Sequence, residues 1–475
     1  YETWKERHDQ KVKRQKHALF LKRLLMILIA ILISFFLFAT VTKGLTAVHF
    51  FKINSLVSLA GTEIPPDKNG HINLLLLGQG DESGQSLTDT IIVASIDPEK
   101  TKSVVLLSLP RDMYFLKTEK MSKGKLNSFF RDYRSYLRFK EGMTKEEADK
   151  EAIAEIAAEI GRKLGIEIQH AAKVDFEAFT HVVDALDGID VVVPSDLVDT
   201  EYPDGSYGYE TFEIKEGPQH LDGATALKYV RSRHSTSDFS RSARQQSVIR
   251  AIAEKARDDG YAYDANFITK ILQTLRKNVV TTMSIRQMIG LAEVGRKIER
   301  DRVVMIQFND RNGLYGEPIN RGGFLYTPPR SLFDGFSVLL PVSIPEFPIS
   351  WKQPQTLMKL LANARGIYVN DPTINVLNNG APSGSARKLA TELIRYGFSV
   401  GEIANAGLPS KQARSIIFTD QTTQGEMALL FASLLDFQTT GTPEGLPTRL
   451  QGNITIILGE DYTFTPMQNS IQSAS

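Results

Sequence analysis

The chain has 475 residues and a net charge of +1, and hydrophobic residues make up 42% of it. This apolar content excludes an intrinsically disordered chain, and the length is typical of two or three domains. The absence of cysteine excludes disulfides and thiolate chemistry, so packing alone must hold the fold together.

Positive charge is concentrated at the N-terminus. Residues 1–23 contain eight basic and three acidic residues, a net charge of +5, which leaves the rest of the chain at −4. A mildly acidic body argues against a general nucleic-acid-binding role, so we expect no nucleic-acid partner.

An uncharged run of 18 residues follows, from Leu24 to Val41. As a helix it would span about 27 Å, close to the hydrocarbon thickness of a bilayer. A buried core helix and a cleavable signal peptide are the alternatives, but the run is apolar on every face and no A-x-A site follows it. The positive-inside rule makes residues 1–23 a cytoplasmic tail. We therefore expect a single-pass cell-membrane protein, anchored by a transmembrane helix at residues 24–41, with everything after about residue 43 outside the cytoplasm.

The first domain is predicted at residues 71–310, after a stalk at residues 42–70. It opens with three largely apolar runs typical of buried strands, "INLLLLGQG", "TDTIIVASID" and "KSVVLLSLP". An amphipathic helix is predicted over about 145–164, and "FEAFTHVVDALDGIDVVVP" reads as a helix followed by a strand. Alternating helices and strands predict an α/β domain with a central mixed sheet flanked by helices.

A second, smaller α/β domain is predicted at residues 371–464. Its pattern includes the strand "TINVLNNG", the helix "SGSARKLATELIRYGF" ending at Gly397, and the last strand "NITIILGEDY". Gly and Pro are frequent in residues 311–370, which we interpret as a loop-rich connection. The polar residues 465–475 predict a flexible tail.

The stretch "YVRSRHSTSDFSRSARQQ" places four arginines close together with one carboxylate among them. Arg231 and Arg233 are two residues apart, so in an extended segment they point the same way. The local sequence lacks partners for these guanidinium groups, which suggests that they bind an anion. A solvated basic face, in which each arginine pairs with a distant carboxylate, is the alternative.

From about Ser240 the spacing becomes helical, and four residues form one inward-facing stripe. They are Arg241, Gln245, Val248 and Ile252. Guanidinium groups at a helix N-terminus predict a phosphate or pyrophosphate site, because the helix end adds N–H donors and arginine binds phosphate bidentately. Arg244 lies off the stripe, and we expect it to be exposed or salt-bridged.

Two further stretches offer groups for the same site. "GQGDESGQSLTDT" contains Asp81 and Asp89, and carboxylates beside a phosphate site indicate Mg²⁺. A capping or turn role is the alternative for Asp89. "SLPRD" places Arg111 just past the third strand, in the kind of loop from which α/β sheets build their sites.

Together these motifs resemble those of the LytR-CpsA-Psr (LCP) family of bacterial cell-envelope enzymes. The family's Gly-Asp loop, D-T strand start, S-x-P-R-D and R-x-R…D-F-x-R-x-x-R-Q are matched by "GQGD", "LTDT", "SLPRD" and "RSRHSTSDFSRSARQQ". The resemblance covers roughly residues 72–258, which implies an LCP-like catalytic domain. The small domain resembles the LytR C-terminal domain often attached to this family.

The resemblance implies a phosphotransferase that moves a glycopolymer from a polyprenyl-pyrophosphate carrier to peptidoglycan. The implied partners are a lipid-linked glycopolymer donor, a peptidoglycan acceptor and the membrane. The implied ligands of Mg²⁺ are Asp81 and Asp89. The residues implied to be catalytic are Asp89, Arg111, Arg231 and Arg233. The residues implied to hold the pyrophosphate are Arg111, Arg231, Arg233, Arg241 and Gln245.

Two other functions stay open. A pyrophosphatase acting on the polyprenyl-pyrophosphate-linked substrate would use the same residues with water as the nucleophile. A non-catalytic envelope protein with a glycan-binding or regulatory role is also compatible, because Leu87 stands where many family members have an arginine.

The predicted topology can be tested with protease added outside intact cells. We expect digestion of nearly the whole chain after residue 43, while an epitope fused before Tyr1 stays protected in the cytoplasm. Immunoblots against the epitope and against the C-terminal domain measure both ends. Protection of the C-terminal domain, or a mature protein that begins beyond residue 43, would contradict the predicted anchor.

Overall fold

The computed structural model describes most of the chain after residue 63. The described residues are 64–80, 86–204, 208–232, 238–258, 278–284, 287, 290–291, 294–295, 297–299, 301–313, 318–343, 349–419, 424–446 and 454–471. The predicted anchor, Asp81 and Arg233 lie outside these residues. Within the described ranges, none of the helices combines the length and the apolar character that crossing a membrane requires.

The chain divides into two compact units, Tyr1–Ile160 with Glu167–Met305 and Gly161–Ile166 with Ile306–Ser475. The strands up to the boundary are β1 (Ile72–Gln79), β2 (Thr88–Asp97), β3 (Ser103–Ser108), β4 (Tyr114–Phe115), β5 (Gly124–Lys125), β6 (His170–Asp175), β7 (Ile189–Val193), β8 (Leu197–Pro203), β9 (Tyr209–Ile214), β10 (Gly217–Leu221), β11 (Val279–Thr281) and β12 (Val303–Gln307). Six of them form a sheet in the order β11-β6-β1-β2-β3-β12.

This central sheet is mixed, as predicted. β1 runs parallel to β6, whereas β1 with β2, β2 with β3, and β6 with β11 are antiparallel. The three predicted apolar strands are confirmed as β1, β2 and β3. Strand β6 was missed, because "HAAKVD" is short and carries a lysine where the strand turns out to be buried.

Helices flank the sheet, which confirms the α/β class. They are α1 (Phe129–Phe139), α2 (Lys145–Leu164), α3 (Phe176–Ala185), α4 (Gly223–Arg231) and α5 (Asp238–Asp258). Buried residues of α3, α4 and α5 share one core cluster with Ala172 of β6. The next residue, Lys173, instead lies against Phe130 of α1. Consecutive residues of a strand face opposite sides of a sheet, so α1 covers the face opposite to α3, α4 and α5.

Local sequence explains where α2 begins and ends. The Thr144 N–H donates to the Glu147 carboxylate at 3.0 Å, and the Glu147 N–H donates to the Thr144 hydroxyl at 3.3 Å, which together form a capping box. The helix ends at Leu164, and Gly165 adopts a φ of 71°, which glycine tolerates without strain. The helix predicted at residues 145–164 is therefore confirmed.

Part of the segment interpreted as a stalk belongs to the first unit. Ile64 is buried in the same core cluster as Ile72. The Asp67 carboxylate accepts hydrogen bonds from the N–H of His71 and from the Asn73 side chain, both at 2.9 Å. These contacts extend the unit backwards from residue 71 to residue 64.

The second unit contains a five-stranded sheet in the order β16-β15-β19-β17-β18. The remaining strands are β13 (Leu325–Tyr326), β14 (Leu340–Pro341), β15 (Ile374–Asn378), β16 (Val400–Asn405), β17 (Ile416–Phe418), β18 (Gln438–Thr439) and β19 (Ile454–Leu458). The remaining helices are α6 (Lys352–Asn363), α7 (Arg365–Asn370), α8 (Ser385–Arg395), α9 (Gly425–Leu435) and α10 (Met467–Ser470). Helix α8 ends as predicted before Gly397, whose φ of 98° favours glycine.

The predicted connection and tail both differ from the structure. Residues 311–370 contain the helices α6 and α7, and they lie within the second unit. In the tail, Met467 and Gln468 of α10 are buried. The Met467 N–H donates to the Glu392 carboxylate of α8 at 3.0 Å, so the end of the chain packs into the unit.

The buried position of α10 predicts that Met467→Ala destabilises the second unit. Replacing a buried methionine with alanine costs about 2–5 kcal/mol, because it removes apolar contacts and leaves a cavity. Thermal unfolding of the full chain measures the change. Leu429→Ala is the matched control, because Leu429 is 59% exposed. Equal midpoints for both variants would mean that the tail is loose, as its polar sequence suggests.

Candidate active site

One edge of the central sheet collects the predicted site residues. Because β1, β3 and β6 run in the same direction, their carboxyl ends meet the amino end of β2 at this edge, which we call the site edge. Gly78 pairs with Thr90 across β1 and β2, and a Cβ on Gly78 would lie only 2.9 Å from the Thr90 Cβ. Glycine therefore permits the close approach of the two strands at this edge.

Asp89 and Arg111 form an ion pair at the site edge. Arg111 Nη1 donates to Asp89 Oδ2 at 3.2 Å, and Asn127 Nδ2 lies 3.3 Å from Asp89 Oδ1. The backbone supports this geometry, since the Asn127 N–H donates to the Arg111 carbonyl at 3.1 Å. The Thr88 hydroxyl completes the arrangement at 3.3 Å from the Asn127 carbonyl. The Asp89 carboxylate therefore joins three segments, which are the start of β2, the loop after β3 and the segment before α1.

A second ion-pair group adjoins the first. Arg111 Nε lies 3.6 Å from Asp112, and the Asp112 carboxylate also pairs with Lys125. Arg111 thus contacts two carboxylates. They lower the net positive charge around Arg111, and they orient its guanidinium group.

Arg231 reaches the site edge from the end of α4. Its guanidinium carbon lies 4.3 Å from the centre of the Phe176 ring, and Nη1 donates to the Tyr202 hydroxyl at 3.2 Å. Phe176 directly follows β6, and a Cβ on Gly80 at the end of β1 would lie 3.7 Å from its ring. Phe176 therefore lies between Arg231 and Gly80 in this chain of contacts.

Helix α5 presents the predicted stripe. Arg241, Val248 and Ile252 are buried, which confirms the inward orientation. Gln245 Nε2 lies 3.5 Å from the Val230 carbonyl, so this amide contacts the end of α4. Next to it, Gln246 donates to the Ser108 hydroxyl at 2.7 Å, at the end of β3. The N-terminal part of α5 is thus held at the site edge, with Arg241 one turn before these contacts.

The structure corrects the expectation for Arg244. This residue is 7% exposed, and its Nε donates to the Tyr229 carbonyl at 2.9 Å. Its Nη2 donates to the Ser232 carbonyl. Burial lowers the pKa of the Arg244 guanidinium below its usual value, and the nearby Tyr229 and Asp199 oppose this shift. Arg244 therefore joins α5 to the end of α4 and is buried, not exposed.

The predicted metal site has one described member. Within the described ranges, no group of three or more His, Cys, Asp or Glu side chains could hold a metal ion, and Asp81 lies outside them. The Asp89 side chain is 37% exposed, and its two hydrogen bonds are long. Magnesium at phosphate sites commonly uses one or two carboxylates and completes its shell with water and phosphate oxygens. Asp89 has the charge and exposure that such a role requires.

A buried lysine lies beneath the same edge. Lys173 of β6 donates to the Gln79 side chain and lies 4.8 Å from the centre of the Phe130 ring. Burial lowers the pKa of Lys173 to about 8, although Asp149 and Asp175 favour its charged form. Sequence reasoning missed this residue because β6 itself was not recognised.

A model described as the LytR_cpsA_psr family matches residues 46–324, more than half of the chain. The chain belongs to this family. A second model, described as LytR cell envelope-related transcriptional attenuator, matches residues 371–462. Both matches confirm the resemblance that the motifs indicated, and they place the site edge within the LytR_cpsA_psr part of the chain.

Curated relatives have cell-wall functions in their names. The chain is 26% identical over 264 residues to the polyisoprenyl-teichoic acid–peptidoglycan teichoic acid transferase TagU of Bacillus cereus, covering 54% of this chain and 75% of TagU. It is 23% identical over 442 residues to the cell wall biosynthesis protein LcpA of Corynebacterium glutamicum, covering 88% of this chain and 79% of LcpA. The crystal structure of Bacillus subtilis TagV matches with 23% identity and a TM-score of 0.40, over 58% of this chain and 92% of TagV.

The contacts of Arg244 predict a structural effect on mutation. Arg244→Ala should lower stability by about 1–3 kcal/mol, because it leaves two buried carbonyl groups without their donor. Thermal unfolding measures the loss. Arg250→Ala, also on α5, is the matched control, because the Arg250 side chain is 50% exposed and forms a surface ion pair with Glu254. A midpoint for Arg244→Ala equal to that of Arg250→Ala would contradict the structural role.

Proposed function

We propose that this chain is a membrane-anchored, extracytoplasmic phosphotransferase that moves a glycopolymer from a polyprenyl-pyrophosphate carrier to peptidoglycan. The observation that carries the proposal is the convergence of Asp89, Arg111 and Arg231 on one sheet edge, with the start of α5 held at the same edge. The relative TagU, a polyisoprenyl-teichoic acid–peptidoglycan teichoic acid transferase by name, supports the reaction class.

The arginines have the chemistry needed to bind a pyrophosphate. Among the described residues, the contacts of Arg231 are two aromatic rings and a tyrosine hydroxyl, none of which carries a negative charge. Its positive charge is therefore not neutralised by these contacts and remains to attract an anion. Arg111 is oriented by Asp89, and Arg241 and Arg233 complete the proposed set, with Gln245 as a neutral donor. Phosphoryl transfer depends chiefly on such positioning and neutralisation of charge.

In the proposed reaction, a peptidoglycan hydroxyl oxygen forms a bond to the phosphorus that carries the glycopolymer. The bond from this phosphorus to the bridging oxygen breaks, and polyprenyl phosphate leaves with that oxygen. Asp89 orients the hydroxyl and receives its proton, while the arginines stabilise the charge on the phosphate oxygens. Asp81 and Asp89 would hold Mg²⁺, which supplies further neutralisation of phosphate charge when bound.

The location of the donor supports the proposed topology. A polyprenyl carrier is confined to the membrane, and the apolar run at residues 24–41 would keep the site edge near that membrane. Transfer and hydrolysis differ only in the nucleophile. A turnover assay with and without a peptidoglycan acceptor separates them, and absence of turnover in both arms would favour a glycan-binding role.

Replacing the arginines should reduce turnover of a lipid-linked pyrophosphate. Arg111→Ala, Arg231→Ala and Arg241→Ala should each lower kcat by roughly 100-fold, as expected for the loss of a transition-state donor. Lysine should not fully restore the rate, because an ammonium group cannot make a bidentate contact. Exposed Arg330 provides the control variant Arg330→Ala. Full activity, or losses that only follow a fall in thermal midpoint, would contradict the proposal.

Asp89→Asn should weaken the dependence of turnover on magnesium as well as the rate. The amide keeps the shape of the side chain but removes the negative charge that a cation requires. Turnover measured against Mg²⁺ concentration gives the apparent affinity. Asp190→Asn is the matched control, since the Asp190 side chain is 73% exposed and pairs with His220. An unchanged magnesium titration for Asp89→Asn would exclude Asp89 as a ligand.

A further inference from the structure

Strand β8 contains an irregularity that places two buried polar residues on one side. Asp199 pairs with Phe212 of β9, and Tyr202 pairs with Glu210. Between these two pairs the chain advances three residues along β8 but only two along β9, so β8 contains one extra residue, a β-bulge. In a regular strand, residues three apart point to opposite faces. The extra residue brings Asp199 and Tyr202 to the same face, and both are buried while Thr200 and Glu201 are exposed.

Both residues contact the end of α4. The Tyr202 hydroxyl accepts a hydrogen bond from Arg231 Nη1 at 3.2 Å. The Asp199 carboxylate accepts one from the hydroxyl of the next residue, Ser232, at 2.8 Å. Bulges often change the direction of side chains beside active sites. Here the bulge lets Tyr202 and Asp199 accept hydrogen bonds from Arg231, the last residue of α4, and from its C-cap Ser232.

The guanidinium group of Arg231 is also held by aromatic faces. Its central carbon lies 4.3 Å from the centre of the Phe176 ring and 5.5 Å from that of Tyr202. Tyr202 is 4% exposed and packs against Phe212, with ring centres 6.0 Å apart, so its position is fixed by the core. Phe176 is held at the end of β6, where the Asp175 side chain caps α3 by accepting from the Ala178 N–H at 2.9 Å.

We propose that Tyr202 and Phe176 are positioning residues that hold the Arg231 guanidinium in the orientation needed to bind the pyrophosphate. This inference rests on the proposed function, because it assigns them a role through Arg231. An aromatic face and a hydroxyl orient a guanidinium group and leave its positive charge in place. A carboxylate partner would instead cancel that charge. A held guanidinium group loses less conformational entropy when it binds phosphate.

The variants separate the hydroxyl from the aromatic ring. Tyr202→Phe removes the hydrogen bond and keeps the ring, and we expect kcat to fall by about tenfold, as for loss of a hydrogen bond to a charged group. Phe176→Leu removes the aromatic face at similar volume, and kcat should fall by about three- to tenfold. Phe176→Tyr keeps the aromatic face and should retain most of the activity. KM should change less than kcat in every case, because the proposed role of Arg231 is to stabilise charge in the transition state more than in the bound substrate.

The decisive experiment is a double-mutant cycle with Arg231→Ala, in single-turnover assays on a lipid-linked pyrophosphate. If Tyr202 and Phe176 act through Arg231, their substitution should change the rate by less than about twofold once Arg231 is absent. A purely structural role would instead lower the rate by the same factor in both backgrounds. Equal factors, or full activity of Tyr202→Phe and Phe176→Leu in the wild-type background, would overturn the inference.

Matched controls make the same chemical changes elsewhere in the first unit. Tyr209→Phe removes a hydroxyl from β9 at a residue that is 69% exposed, and Phe139→Leu changes an aromatic residue that is 78% exposed. Both should keep wild-type rates. If the wild-type protein turns over no lipid-linked pyrophosphate, the proposed function fails and this inference with it. If Arg231→Ala is impaired but the cycle shows no coupling, only the positioning role fails.

Discussion

The placement of arginine side chains at one edge of the central sheet is the constraint on which the proposed site of the first unit depends. Carboxylate partners for all of these arginines would cancel the positive charge that the proposed anion site requires. The structure gives three arginines of the first unit different environments. Arg231 contacts aromatic faces and a hydroxyl, Arg244 contacts backbone carbonyl groups, and Arg111 shares carboxylates. Among the described residues, Arg231 thus has only uncharged contacts, whereas Arg244 joins α5 to the end of α4.

The end of α4 is the point at which these contacts meet. The Tyr229 and Ser232 carbonyls accept from Arg244, Val230 is approached by Gln245, and the Ser232 hydroxyl donates to Asp199. Most of these groups are buried, so each hydrogen bond also satisfies a polar group that would be costly to leave unpaired. The contacts therefore stabilise the fold and orient the arginine of the proposed site at the same time.

The second unit is also organised around buried polar residues. Glu392 and Arg395 of α8 form an ion pair in its interior, where burial raises the pKa of the Glu392 carboxyl group. Glu392 accepts from the Met467 N–H, and Arg395 donates to the Asn312 carbonyl at 3.2 Å. These bonds join segments that the sequence suggests are a connection and a tail to the core of the unit. Because a buried charge is costly to leave without hydrogen-bond partners, the Asn312 carbonyl and the Met467 N–H help to stabilise this ion pair.

Much of the architecture followed from the sequence alone, because its signals are local. The apolar runs of β1, β2 and β3, the helical spacing of α2 and the glycine after α8 each depend on residues that are neighbours in the chain. The motifs also sufficed for the family and for the candidate residues Asp89, Arg111, Arg231 and Arg241. Short or polar segments were misjudged, since β6 and α10 are stabilised by distant contacts that no local pattern contains.

The environment of each arginine was decided only by the tertiary structure. Spacing placed Arg244 off the inward stripe of α5, yet it is buried because the carbonyl groups at the end of α4 lie against it. Phe176 and Tyr202 are far from Arg231 in sequence and meet it through β6 and a bulged hairpin. Periodicity within one helix or strand specifies which face a residue occupies, but not which element packs against that face. The sequence therefore determined which charged groups are available, and long-range packing decided what each of them contacts.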